Sequence, residues 1–329
     1  MAEQDQPSGL NDLNPFHIES GVVRRRFNTV ASSYPSFSVL QREVARRMLE
    51  RLEFVKLSPK RILDVGCGTG TDLNLLSQRY PQAQCIGLDL SASMLRMGQV
   101  KRSWFAHFFS AITNQFLSHL HPYPAAYVCA DARHIPLQPA SVGLLWSNFL
   151  LHWMDNPLPA LLEMHRVLEV EGLVMFATLG PDTLKEFREA FSKADDALHV
   201  HRFLDMHDVG DMLVASGFSD PVMDMEKITL TYESVDAFLK ELRGAGSVNA
   251  LVGRRRGLMG RDKWKKMRVA LQGMMELNKR GEAQPTEEHL PHLPRLPITF
   301  EIIYGHAWKP KPKFTQDGHQ VIRFDLPGK

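Results

Sequence analysis

The stretch Ile62-Leu63-Asp64-Val65-Gly66-Cys67-Gly68-Thr69-Gly70 restricts this chain more than any other. A short apolar run enters a turn holding three glycines, and a helical pattern from Thr71 to Arg79 follows at once. Glycine lets the backbone take positive φ and approach a ligand closely, and the helix behind it presents unpaired N–H groups. Strand, glycine turn and helix in that order begin a ligand-binding α/β sheet.

From Arg61 onward short apolar runs alternate with helical patterns, as parallel strands joined by crossover helices do. The runs are Arg61 to Val65, Gln84 to Leu88, Ala126 to Cys129, Gly143 to Ser147 and Leu173 to Thr178. Pro221 to Tyr232 and Ile298 to Trp308 alternate in strand fashion and read as a closing antiparallel pair. The expected fold is α/β: a doubly wound Rossmann-like sheet, mostly parallel with a closing antiparallel strand, plus an N-terminal helical lid and a helical cap insertion. The expected divisions are a flexible arm over 1–21, the lid over 22–57 with one or two amphipathic helices, and the core over 58–232. A cap insertion over 233–297, a final core strand over 298–310 and a tail over 311–329 complete it. Trp104 to Leu120 reads as an extra apolar-rich helix packed on its own protein, and His107, His119 and His121 are not expected to be ligands.

Lys plus Arg number 39 against 37 Asp plus Glu, so the net charge of +2 selects no partner and only its distribution is informative. Cys67, Cys85 and Cys129 lie far apart, without metal spacing, and their odd number argues against a disulfide framework. The first twenty residues contain Glu3, Asp5, Asp12 and Glu19 and no apolar run, which excludes a secretory signal. No stretch reaches transmembrane length. The expectation is a cytoplasmic protein without metal, membrane or nucleic-acid partner.

The glycine spacing is not the dinucleotide G-x-G-x-x-G pattern, and Asp64 places an anion where pyrophosphate would be repelled and an ammonium held. Asp89 ends the strand Cys85 to Leu88 and is placed to accept from ribose hydroxyls, since Ser91 is the better cap for the helix that follows. Asp131-Ala132 follows the next strand, where a carboxylate can meet the adenine amino group. This series, continued by Trp146-Ser147-Asn148, resembles the ordered motifs of class I S-adenosylmethionine-dependent methyltransferases. The resemblance implies S-adenosylmethionine as cofactor, held by Asp64, Gly66, Gly68, Gly70, Asp89, Leu90, Asp131, Ala132 and Asn148. Val142-Gly143 departs from it, because many members carry Phe-Asp there.

Phe27 with Ala31 and Tyr34, Leu40-Gln41, His152-Trp153, His199 with Arg202-Phe203-Leu204, Leu242 to Ala245 and Gly253 to Leu258 are similar to the malonyl-acyl-carrier-protein O-methyltransferase family of biotin synthesis. The similarity runs from about residue 22 to 310, and some of these motifs are shared with a mitochondrial complex I assembly family associated with arginine hydroxylation. The implied reaction methylates the free carboxylate of a malonyl thioester, which is already ionised and needs no catalytic base. Tyr34, His152, Trp153 and Arg202 are the candidate acceptor-site residues, with Arg202 as carboxylate clamp. Arg254, Arg255, Arg256, Arg261, Lys263, Lys265, Lys266 and Arg268 face only Asp262 locally, a cluster suited to docking acidic malonyl-acyl carrier protein. A small-molecule quinol methyltransferase, in which His152 would serve as base, is a further alternative.

Overall fold

A computed structural model describes residues 14–99, 125–281 and 294–312. Helices α1 (Ser20–Val30), α2 (Tyr34–Phe37) and α3 (Val39–Leu52) precede strand β1 (Arg61–Val65), α4 (Thr71–Arg79) and β2 (Gln84–Asp89). Residues 92–99 are helical (α5), followed by β3 (Ala126–Cys129), β4 (Val142–Asn148), α6 (Leu158–Val167) and β5 (Leu168–Leu179). Then come α7 (Lys185–Ser192), α8 (Met206–Ala215), β6 (Ser219–Tyr232), α9 (Val235–Gly244), α10 (Arg261–Gly281) and β7 (Leu296–Trp308).

The seven strands lie in the order β3-β2-β1-β4-β5-β7-β6. β1 to β5 pair in parallel, while β7 runs antiparallel to both β5 and β6. Strand order reverses between β1 and β4, so their carboxyl ends open a crevice where ligands of such sheets bind. Six of the seven β4 residues are buried, as a central strand covered on both faces requires, whereas β6 alternates in exposure as an edge strand does.

Lid and cap share one core. Val44, Met48 and Leu52 of α3, Phe238 of α9 and Met267 and Leu271 of α10 pack with Ile62, Leu144 and Trp146 of the sheet. Leu161 and Met164 of α6 and Leu213 of α8 cover the opposite face with Leu63, Leu145 and Phe176. Arg47 and Arg51 of α3 also reach Glu226 and Asp224 on β6, at 2.5 and 2.7 Å.

The expected lid of one or two helices is three, because Pro35 begins a separate turn between α1 and α3. β5 starts five residues ahead of the run Leu173 to Thr178, since Leu168 pairs with Val142 across a bulge. The extra helix expected over 104–120, with His107, His119 and His121, lies outside the described residues.

Candidate active site

A cleft opens at the carboxyl edge of β1, β2 and β4, where ligands of such sheets bind. Gly66 and Gly68 line its floor at φ 81° and 53°, left-handed angles that side chains resist. A Cβ on Gly66 would stand 3.1 Å from the Leu150 side chain. Gly70, expected in the same set, does not line the cleft; it caps α4 at φ 71°, and a Cβ there would sit 2.5 Å from the Tyr127 hydroxyl.

Asp89 links floor and wall. One carboxylate oxygen accepts from Gly68 N–H at 2.9 Å and the other from Ser91 N–H at 2.7 Å, while Ser91 Oγ accepts from Met94 N–H and caps α5. Each carboxylate oxygen keeps a second lone pair for the cleft, which Asp89 lines. Leu90, Asp131 and Ala132 line the adjoining wall. Asp131 receives the Arg133 side chain on both oxygens, at 2.6 to 3.2 Å, and those bonds hold it below the usual carboxylate range.

Behind the floor lies an acidic knot. Asp64 is 2% exposed and does not line the cleft as expected, and one of its oxygens has no partner among the described residues. Asp72, in the first turn of α4, accepts from Trp146 Nε1 and Asn148 Nδ2, both at 3.0 Å. Asn148 also donates to Gln41 O, and its own side-chain oxygen is buried without a donor among the described residues. Burial pushes Asp64 well up, and the charges of Asp72 and Asp89 push it further. Burial likewise raises Asp72 and Asp89 against the donors that serve them. Unpaired acceptors and crowded carboxylates call for a cation, and the ammonium of S-adenosylmethionine fits that demand.

The lid builds the opposite wall from Ile18, Ser20, Val23, Phe27 and Tyr34. Phe27 meets Tyr34 and Trp153 edge to face, at ring separations of 6.2 and 5.2 Å, and burial pushes the Tyr34 phenol well up. Phe149, directly after β4, takes φ 60°, an unfavourable angle for an aromatic residue, and so turns Leu150 and the 3-10 turn Leu151–Trp153 over the cleft.

Two expected acceptor residues lie elsewhere. His152 is half-buried against Phe149 and Phe203, does not line the cleft, and is brought down to about 3 by desolvation and then by His201. Around Arg202, His201 and Phe203 are buried and Ala250 N–H donates to His201 Nε2 at 2.9 Å, while Arg202 is exposed and does not line the cleft. Arg133, Asp72, Phe149 and the cleft-lining Asp155, paired with His17 at 2.8 Å, are features that the sequence patterns had not singled out.

The basic segment is less unopposed than its local sequence implies. Glu19, between cleft residues Ile18 and Ser20, pairs with Arg254 at 2.7 Å and Arg256 at 3.2 Å. Asp195 pairs with Arg255 and Lys263, and Asp236 with Arg268. An antiparallel bridge from Ile18 to Leu251 straps this segment to the lid.

Residues 63–176 match a methyltransferase domain family. Over 312 residues the chain is 44% identical to a malonyl-acyl-carrier-protein O-methyltransferase of Gallionella capsiferriformans, covering 94% of this chain and 98% of that one. It is 43% identical to the enzyme of the same name from Laribacter hongkongensis over 94% of this chain and 97% of that one. The chain belongs to the malonyl-acyl-carrier-protein O-methyltransferase family. Members use S-adenosylmethionine, and the glycine floor, Asp89 and the unpaired Asp64 and Asn148 acceptors of this methyltransferase suit that cofactor. Among the described residues Cys67, Cys85 and Cys129 form no disulfide, no cluster suits a metal ion and no helix is long and apolar enough to cross a membrane.

The acidic knot gives a pH signature. Carboxyls raised in the fold bind protons more tightly than in the unfolded chain, so their stabilising proton uptake is complete below pH 3.8 and is lost as pH rises through the elevated values. A bound ammonium relieves that repulsion once the groups ionise. The rise in melting temperature produced by S-adenosylhomocysteine is therefore expected to be larger near pH 7.5 than near pH 5.5. Melting curves with and without ligand at both pH values check this, and an equal rise would remove the ammonium from the knot.

Proposed function

We propose that this methyltransferase esterifies the free carboxylate of malonyl-acyl carrier protein, early in biotin synthesis. The supporting observation is that neither His152 nor Tyr34 offers the cleft a usable base: His152 does not line it and is held near 3, and the Tyr34 phenol is pushed well up. A carboxylate acceptor needs no base, since it is ionised at neutral pH.

S-adenosylmethionine supplies an activated methyl on a sulfonium. The carboxylate oxygen forms a bond to that methyl carbon as the carbon–sulfur bond breaks and its electron pair returns to sulfur, with no proton moved. Asp89 and the Gly66 and Gly68 turn would hold its nucleoside, and Asp131 and Ala132 would flank its base. Phe27, Tyr34 and Trp153 exclude water from the reacting atoms, and their ring faces favour a neighbouring cation. Proximity and desolvation supply the rate.

The acidic carrier is drawn to the cap through Arg261, Lys265 and Lys266, since Arg254, Arg255 and Arg256 are engaged by Glu19 and Asp195, and neither nucleic acid nor membrane is part of this reading. A cytoplasmic location accords with three cysteines that form no disulfide among the described residues.

The test offers labelled methyl donor to malonyl-carrier, malonyl-coenzyme A, free malonate and a quinol, with mass analysis of each. Base-labile label on malonyl-carrier is expected; label confined to the quinol would overturn the assignment. His152→Gln should retain turnover within about fivefold, because the imidazole does not line the cleft and an ionised carboxylate acceptor has no proton to give it. A loss of three orders of magnitude would restore it as a base.

A further inference from the structure

The cations of the cap divide into two groups. Arg254, Arg255, Arg256, Lys263 and Arg268 are engaged by Glu19, Asp195 and Asp236. Arg261, Lys265 and Lys266 make no ion pair among the described residues, and all three are exposed on the outer side of α10. Exposed large apolar side chains lie near them in the chain. Leu258 is 97% exposed, in a loop whose Gly257 and Gly260 have nothing near them, and Val269 is 56% exposed, three residues beyond Lys266 on α10. A solvated surface has no use for a fully exposed leucine three residues from the unpaired Arg261, whereas a docking face combines an apolar anchor with charged neighbours.

We propose that Leu258 and Val269, framed by Arg261, Lys265 and Lys266, form the docking face for an acidic helix of the thioester carrier, while Arg254 and Arg256 act on the lid. The proposal rests on the functional reading above. Its occupant is set by charge complementarity and by place. Arg256, two residues before Leu258, holds Glu19 at the rim of the cleft, so a carrier seated on Leu258 has its thioester arm beside the opening. Three unpaired cations flanked by apolar side chains suit a short acidic helix better than the repeating phosphates of a nucleic acid, which need a longer cationic track. Arg254 and Arg256, by contrast, fasten the strap that carries Ile18 and Ser20 and so keep the cleft wall in place.

The test compares Leu258→Ser, the double variant Arg261→Glu with Lys265→Glu, and Arg254→Ala with the unaltered enzyme. Both face variants are expected to raise KM for malonyl-carrier about tenfold, with kcat within about twofold and unchanged affinity for S-adenosylhomocysteine by calorimetry. Arg254→Ala is expected to weaken S-adenosylhomocysteine instead. Unchanged KM in both face variants, in an enzyme that does methylate malonyl-carrier, overturns the face and leaves the function standing. A loss of S-adenosylhomocysteine affinity in the face variants overturns it too, as would binding of duplex DNA or phosphatidylglycerol vesicles more tightly than the carrier. No methylation of malonyl-carrier by the unaltered enzyme would overturn the functional reading itself.

Discussion

Asp89→Ala is expected to weaken S-adenosylhomocysteine by at least about 100-fold in calorimetric titration. Hydrogen bonds to an ionised group contribute on the order of 1.5–3 kcal/mol each, and two ribose hydroxyls on one carboxylate therefore amount to roughly two to four decades of affinity. The same substitution strips acceptors from Gly68 N–H and Ser91 N–H, so the turn that forms the floor also loosens. Asp89→Asn separates these effects. Its amide oxygen can keep one backbone donor while the charge is lost, and an intermediate loss of about tenfold is expected. Affinity unchanged in Asp89→Ala would place the ribose elsewhere.

Trp146→Ala is expected to be the most damaging single truncation in the core. Trp146 is fully buried in the central strand, and removal of such a side chain costs about 3–5 kcal/mol. It also withdraws the indole N–H from Asp72, leaving Asn148 as that carboxylate's remaining side-chain donor among the described residues. A fall in melting temperature on the order of 10 °C follows. Trp146→Phe restores most of the packing but not the hydrogen bond, so the portion of the loss it retains measures the Asp72 contact. A fall of only a degree or two in Trp146→Ala would mean that the site had collapsed around the gap or that the residue is less confined than its burial implies.

The strands nearest the cofactor were legible because their signals are local. Arg61 to Val65 and Ala126 to Cys129 are bounded as the pattern predicts, and the glycine turn and Asp89 follow from spacing alone. Residues whose roles depend on distant partners were not. Asp72 reads as an ordinary acid in a helix's first turn, and nothing near it announces Trp146, 74 residues on. The Arg254 segment reads as a bare cationic run because Glu19, its neutraliser, lies 235 residues earlier. Arg202 carries the right chemistry for a carboxylate clamp, but it lies exposed between the buried His201 and Phe203 and outside the cleft lining, which only the packing of that segment decides. His152 was placed near the sheet edge correctly, yet the left-handed turn at Phe149 that sends it behind the cleft has no signature in residue type. The result is a cofactor half readable from motifs and an acceptor half that depends on how lid, cap and the Phe149 turn meet.

The most direct measurement is a crystal structure of the enzyme with S-adenosylhomocysteine. The account predicts ribose hydroxyls on Asp89, the base against Asp131 and Ala132, and the ammonium drawing on the unpaired acceptors of Asp64 and Asn148, with the sulfur facing Tyr34 and Trp153. A ligand bound outside this cleft, or a cleft closed by its own side chains with no ligand in it, would contradict the account.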